Sequence, residues 1–222
     1  MKKWRMLLFV TITLVVILTT VMVLRNLRVS ESVSSLRWKG HAIFRIVTTI
    51  SNEKSPEMFW PCDLGINAHT SVEYFQQLLY ILSSSGTGEK LEVEHLSDGL
   101  CTFPPRNGEH LAEENVVWTV AKNTGSNIPD TLPLLFTRNV DVSSLSTNVT
   151  PSSMDGFVCI DDNYRSVFDR SFVLVIYGDG RIKFFRLTKS RKLLYREFYR
   201  NSSFCVPGLK YITPTREVRL TR

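Results

Sequence analysis

The chain has 222 residues, 43% of them hydrophobic and 22% charged, which excludes an intrinsically disordered chain and leaves length for one domain with a real core. The net charge of +6 is the sum of three unequal blocks: +6 over residues 1–39, −10 over 40–163 and +10 over 164–222. That separation excludes a uniformly basic surface and favours oriented association or attachment to an anionic surface, with a solvated basic tail as the plainer reading.

Met6–Leu24 reads MLLFVTITLVVILTTVMVL, nineteen residues without charge, Gly or Pro. As an α-helix it is roughly 28 Å long, close to the hydrocarbon thickness of a bilayer. Its threonines can bond back to the preceding turn. The segment therefore predicts a membrane anchor formed by Met6, Leu7, Leu8, Phe9, Val10, Leu14, Val15, Val16, Ile17, Leu18, Val21, Met22, Val23 and Leu24. Lys2, Lys3 and Arg5 precede it, Arg25 and Arg28 follow, and the short basic tail points to a cytoplasmic N-terminus. A cleaved signal peptide is the competing reading. Such peptides have an apolar core of about 7–15 residues and then a small-residue cleavage site; here Arg25-Asn26-Leu27-Arg28 follows instead.

Ser34–Ile50 has helical periodicity, with Leu36, Ile43, Ile46, Val47 and Ile50 near one face and Gly40 tolerated at some cost. A helix continuous with the anchor is therefore expected. Pro56–Gly65, holding Trp60, Pro61 and Cys62, reads as a loop. Thr70-Ser71-Val72-Glu73 matches a capping box and opens an amphipathic helix through Phe75, Leu78, Leu79 and Leu82, ending over Ser83–Gly88. Strands follow at Val116–Val120 and Leu134–Thr137. Phe172–Tyr177 and Arg181–Leu187, joined by Gly178-Asp179-Gly180, make a hairpin. Asp141–Asp155 is rich in Ser, Thr and Asn and reads as a surface loop. Helices first and strands later give an α+β chain with an antiparallel sheet. Its expected divisions are a basic N-terminus and anchor (1–28), an amphipathic helix (29–52), an α+β head (53–190) and a basic C-terminal extension (191–222).

Little chemistry is announced. Cys62, Cys101, Cys159 and Cys205 contain no C-x-x-C pair; in an oxidising compartment they permit two disulfides in any of three pairings, and otherwise read as free thiols. His41, His69, His95 and His110 share no metal-ligand spacing. Asp161-Asp162 and Asp179 could give oxygen ligands to calcium, but they lack the EF-hand alternation, and a turn explains Asp179 more simply. P-loop, G-x-S-x-G and H-E-x-x-H motifs are absent. A non-enzymatic protein with no cofactor and no catalytic residue is expected. Asn148-Val149-Thr150 and Asn201-Ser202-Ser203 are formal glycosylation sequons. In the basic C-terminal third, Tyr195, Phe198 and Tyr199 interleave with Arg191, Lys192, Arg196 and Arg200. This fits either stacking platforms for nucleic acid or, as we prefer, an amphipathic edge packed on the domain.

Several segments together resemble the pseudopilin-like proteins of bacterial type II secretion systems. They are the apolar helix running into an amphipathic one, Ala42-Ile43-Phe44, Trp60-Pro61, Thr70-Ser71-Val72-Glu73-Tyr74-Phe75, Glu114-Asn115-Val116-Val117-Trp118, Pro129–Asn139 (PDTLPLLFTRN) and Val175–Gly180. They cover most of residues 1–187. The resemblance implies a pilin-like α+β head in the periplasm, carried by a helix in the bacterial inner membrane. Association with the membrane, with itself or with other pseudopilin-like subunits is implied, and no catalytic residue. The chain departs from prepilins in having no Gly before Met6 and Val10 where Glu stands in the family; leader cleavage and Glu–amine pairing use those residues. The alternative is a single-pass, membrane-tethered periplasmic binding or sensing domain that does not polymerise.

Overall fold

The computed structural model describes residues 2–54, 66–85, 90–97, 110–124, 128–160, 172–187 and 192–214. The chain divides into two compact units, Met1–Ser35 and Leu36–Arg222. The first helix, α1 (Lys2–Lys54), contributes residues to both.

Within the second unit, five strands form an antiparallel sheet. β1 is Trp118–Lys122, β2 Pro133–Thr137, β5 Phe172–Tyr177, β6 Ile182–Arg186 and β9 Lys210–Ile212. Their order is β6-β5-β2-β1-β9. The remaining strands pair off in twos: β3 (Asn148–Val149) with β8 (Phe204–Cys205), and β4 (Phe157–Cys159) with β7 (Lys192–Leu194). Register sorts the side chains. Val120, Leu135, Ile176 and Ile182 are mutually opposite and so share one face, as do Thr119, Phe136 and Val175 on the other.

The first face carries the helices. Of α1, Leu36, Ile43, Ile46, Val47 and Ile50 are all buried, as their spacing predicts. Gly40 lets that helix approach closely: a Cβ there would lie 2.6 Å from Ile176 Cδ1 and 2.8 Å from Trp118 Cη2. The second helix, α2 (Ser71–Ser85), begins where the capping box places it. Thr70 Oγ1 accepts from the Glu73 N–H at 3.1 Å, while Glu73 Oε2 accepts from the His69 N–H at 2.8 Å, one residue before the expected donor. Ser71 N–H donates to the Thr213 carbonyl, tying the helix start beside β9.

The opposite face is covered by the C-terminal segment. In the short helix α4 (Tyr195–Phe198), the ring of Phe198 meets Phe136 edge-on at 5.7 Å, and Tyr211 of β9 meets Phe136 at 5.4 Å. With both faces covered, β1, β2 and β5 are buried almost throughout, which is why they read as unbroken apolar runs. Residues 192–214, read from sequence as a basic extension, are built into this cap. Asp141–Asp155 also differs from the expected loop. It contains 3-10 turns at Val142–Ser144 and Pro151–Ser153, and Asn148–Val149 forms β3. Two residues pairing with a strand more than fifty positions later leave no local signal.

Candidate membrane anchor and interaction surfaces

In the first unit, α1 carries apolar side chains around its whole circumference. Every residue from Phe9 to Leu24 is exposed, and Trp4 is 81% exposed between basic neighbours. A helix that is apolar all round belongs in a core or in lipid. Three of the four threonines in the apolar run bond back to carbonyls within the helix. Thr13 Oγ1 donates to the Phe9 carbonyl at 2.9 Å, Thr20 Oγ1 to Val16 at 2.8 Å, and Thr19 Oγ1 lies 2.9 Å from both Val15 and Val16 carbonyls. Among the described residues no helix is long and apolar enough to cross a membrane. The side chains of Leu7 and Leu8 fall outside the described residues. Arg25 and Arg28 lie in α1, but their side chains fall outside the described residues.

In the second unit, a short helix, α3 (Val93–Leu96), is held from two sides. Its His95 carbonyl accepts from the buried Trp118 indole at 3.0 Å, Leu96 O accepts from the Val117 N–H at 2.8 Å, and Ser97 O accepts from Lys39 Nζ of α1 at 3.1 Å. The His95 ring lies 5.1 Å from that of Trp38, itself 64% exposed. His95 Nδ1 accepts the Glu92 N–H at 3.0 Å. Burial, reinforced by the Lys39 charge and opposed by Glu92 and Glu94, lowers the imidazole's pKa. His95 is therefore a neutral structural acceptor. Nothing in the spacing of the four histidines signals this.

The Gly-Asp-Gly hairpin turn is the second fixed point. Asp179 Oδ1 accepts the Arg181 N–H at 3.0 Å, the turn role expected from sequence. Its Oδ2 takes Arg200 Nη1 at 2.6 Å, and the guanidinium lies 5.2 Å from the centre of the Tyr177 ring. Tyr177 Oη in turn donates to the Phe198 carbonyl at 2.8 Å. Burial raises the Asp179 pKa, but the Arg200 hydrogen bond and then the Arg181 N–H outweigh it, and the net shift is downward. Arg200 itself has φ +55° and Asn201 φ +56°, a left-handed pair that aims the arginine back at the turn. The Asp179 carboxylate is thus committed to arginines. Asp161 and Asp162 lie outside the described residues, among which no group of three metal-capable side chains occurs.

Cys159 and Cys205 are free thiols, half-buried and exposed respectively; Cys62 and Cys101 lie outside the described residues. His41, His69 and His110 are exposed, and no hydrogen bond joins a described cysteine to a described histidine. Phe198 and Tyr199 are fully buried, and Tyr195 donates its hydroxyl to the Ser144 carbonyl. These aromatics serve the C-terminal cap, as the packed-edge reading requires. The Trp60-Pro61 loop lies outside the described residues. No family model, curated protein or solved structure matches the chain.

Proposed function

We propose that this chain is a non-catalytic, membrane-anchored structural or assembly protein of the pseudopilin kind. Its N-terminal helix would sit in a bacterial inner membrane and its head in the periplasm. The observation that carries the reading is the uninterrupted ring of exposed apolar side chains along Phe9–Leu24, with three threonine hydroxyls bonded back to the helix. Water is a poor environment for that surface, at roughly 25 cal/mol per Å² of exposed apolar area. Lipid matches it, and the nineteen-residue sequence run supplies the length. The amphipathic half of α1, laid against one face of an antiparallel sheet, supports a pilin-like arrangement of the head. So do the E-N-x-x-W and P-L-L-F-T-R-N pieces, which put Asn115 at the end of the 3-10 turn Glu113–Asn115 and Trp118 at the start of β1, and form β2 with its exit turn.

The test is expression of the full chain in a Gram-negative host, followed by carbonate washing of the membranes and protease treatment of spheroplasts. The wild type should stay with the washed membranes and lose its head to external protease. Val16→Arg places a cation at the centre of the run, at an insertion cost of about 2.5–3.5 kcal/mol, and should shift chain out of the membrane fraction. A wild-type chain extracted by carbonate would refute the reading.

A further inference from the structure

The α3 segment meets α1 across a seam built around one imidazole. His95 is buried, with its ring against that of Trp38 of α1 at 5.1 Å between centroids. Its Nδ1 accepts the Glu92 N–H at 3.0 Å, and its own N–H donates to the Glu92 carbonyl at 2.9 Å, so the turn closes on this residue twice. An imidazole nitrogen that accepts a hydrogen bond is unprotonated, and the proton of the neutral ring is then on Nε2. Two residues on, the Ser97 carbonyl takes Lys39 Nζ at 3.1 Å, a direct bond from α1 to this segment. Among the described residues, the charges acting on the ring are Glu92 and Glu94 from its own segment and Lys39 from α1; β1 meets the segment through the neutral Trp118 indole. Both glutamates are exposed, whereas Lys39 is half-buried. Being four residues long, α3 is too short to hold itself together and depends on these contacts.

We infer that His95 is an acid-sensitive latch: protonation of its ring releases residues 92–97 from α1 while the sheet stays folded. An imidazolium donates from both nitrogens, so the Glu92 N–H would face another N–H where it now meets a lone pair. The new cation would be buried and close to Lys39, and two water-screened glutamates offset that only in part. The ring's pKa agrees: burial lowers it from 6.5, Glu92 and Glu94 oppose the shift, Lys39 adds to it, and the net direction is down. The released segment thus binds protons more readily than the docked one, so docking is complete above pH 6.5 and weakens as pH falls below it. Release is local because the remaining ties of α3 to β1, Trp118 indole to His95 carbonyl and Val117 N–H to Leu96 carbonyl, are single hydrogen bonds, whereas β2 and β5 are buried throughout. It frees the Trp38 and Lys39 face of α1. A head outside the cytoplasm, as proposed above, is where the surrounding pH would reach the latch; the latch itself does not require the anchor.

The test is hydrogen exchange of the full chain in detergent micelles, read by mass spectrometry in steps from about pH 7.5 to about pH 5, with the intrinsic pH dependence of exchange removed. The wild type should lose protection over residues 92–97 and at Val117 by roughly five- to tenfold, the worth of one hydrogen bond, while β2 and β5 keep theirs. His95→Gln, whose amide oxygen can take the Glu92 N–H at any pH, should show no such loss. Glu92→Gln keeps the backbone donor and removes a charge that favours the imidazolium, so its midpoint should move to lower pH. Wild-type protection that ignores pH, the same loss in His95→Gln, or a loss that spreads through the sheet would each overturn the latch. Should His95→Gln fail to fold at neutral pH, Glu92→Gln decides, and an unmoved midpoint overturns the latch as well. Retention on carbonate-washed membranes is untouched by any of these results, so the anchor reading stands or falls separately.

Discussion

Replacing Gly40 by alanine sets two effects of similar size against each other. Alanine in a helix interior is favoured over glycine by about 1 kcal/mol. The added methyl, however, would stand 2.6 Å from Ile176 Cδ1 and 2.8 Å from Trp118 Cη2, about 1 Å inside ordinary carbon contact. The Ile176 methyl can rotate away. The Trp118 indole cannot follow, because it is fully buried and its Nε1–H is held by the His95 carbonyl at 3.0 Å. Overpacking of this kind costs roughly 1–3 kcal/mol, so Gly40→Ala should be net destabilising by about 1 kcal/mol. Urea unfolding of the full chain in micelles, followed by tryptophan fluorescence, measures it. Ile176→Val removes the closer of the two clashing atoms at a cost of about 0.5–1.5 kcal/mol alone. In the double variant it should offset part of the alanine's cost, giving a favourable coupling. A more stable Gly40→Ala, or strict additivity with Ile176→Val, would refute the close approach of α1 to the sheet.

Two further substitutions probe the head. Asp179→Asn removes a carboxylate whose charged form Arg200 holds. Because its folded pKa is depressed, its contribution is complete above the unfolded value of about 3.9 and is lost as pH falls through the folded value. Wild type should therefore melt above the variant at pH 7, with the gap closing below about pH 4; a gap that ignores pH would show that Asp179 acts only through turn geometry. Thr119→Val replaces a fully buried hydroxyl that has no partner among the described residues. It should leave stability unchanged or raise it by up to about 1 kcal/mol, and a clear loss in thermal unfolding would mean the hydroxyl is bonded.

The elements that sequence reading located are those whose signal is local. The buried face of α1, the Thr70 cap, the strands at Leu134–Thr137 and Phe172–Tyr177, and the Asp179 turn each follow from periodicity or from a side chain bonding a residue a few positions away. The apolar run of Met6–Leu24 is a property of composition alone. Tertiary structure decided what depends on residues far apart in the chain. It set the strand order β6-β5-β2-β1-β9, with β9 returning from the C-terminus to the edge beside β1. It turned Phe198 and Tyr199 inward onto the second face of the sheet, where sequence offered a packed amphipathic edge but not the face it covers. It made Gly40 a point of contact rather than a mere weakness in a helix, and gave Arg200 to Asp179 across 21 positions. Loop closure and packing choose such partners, and neither is written in any short window of residues.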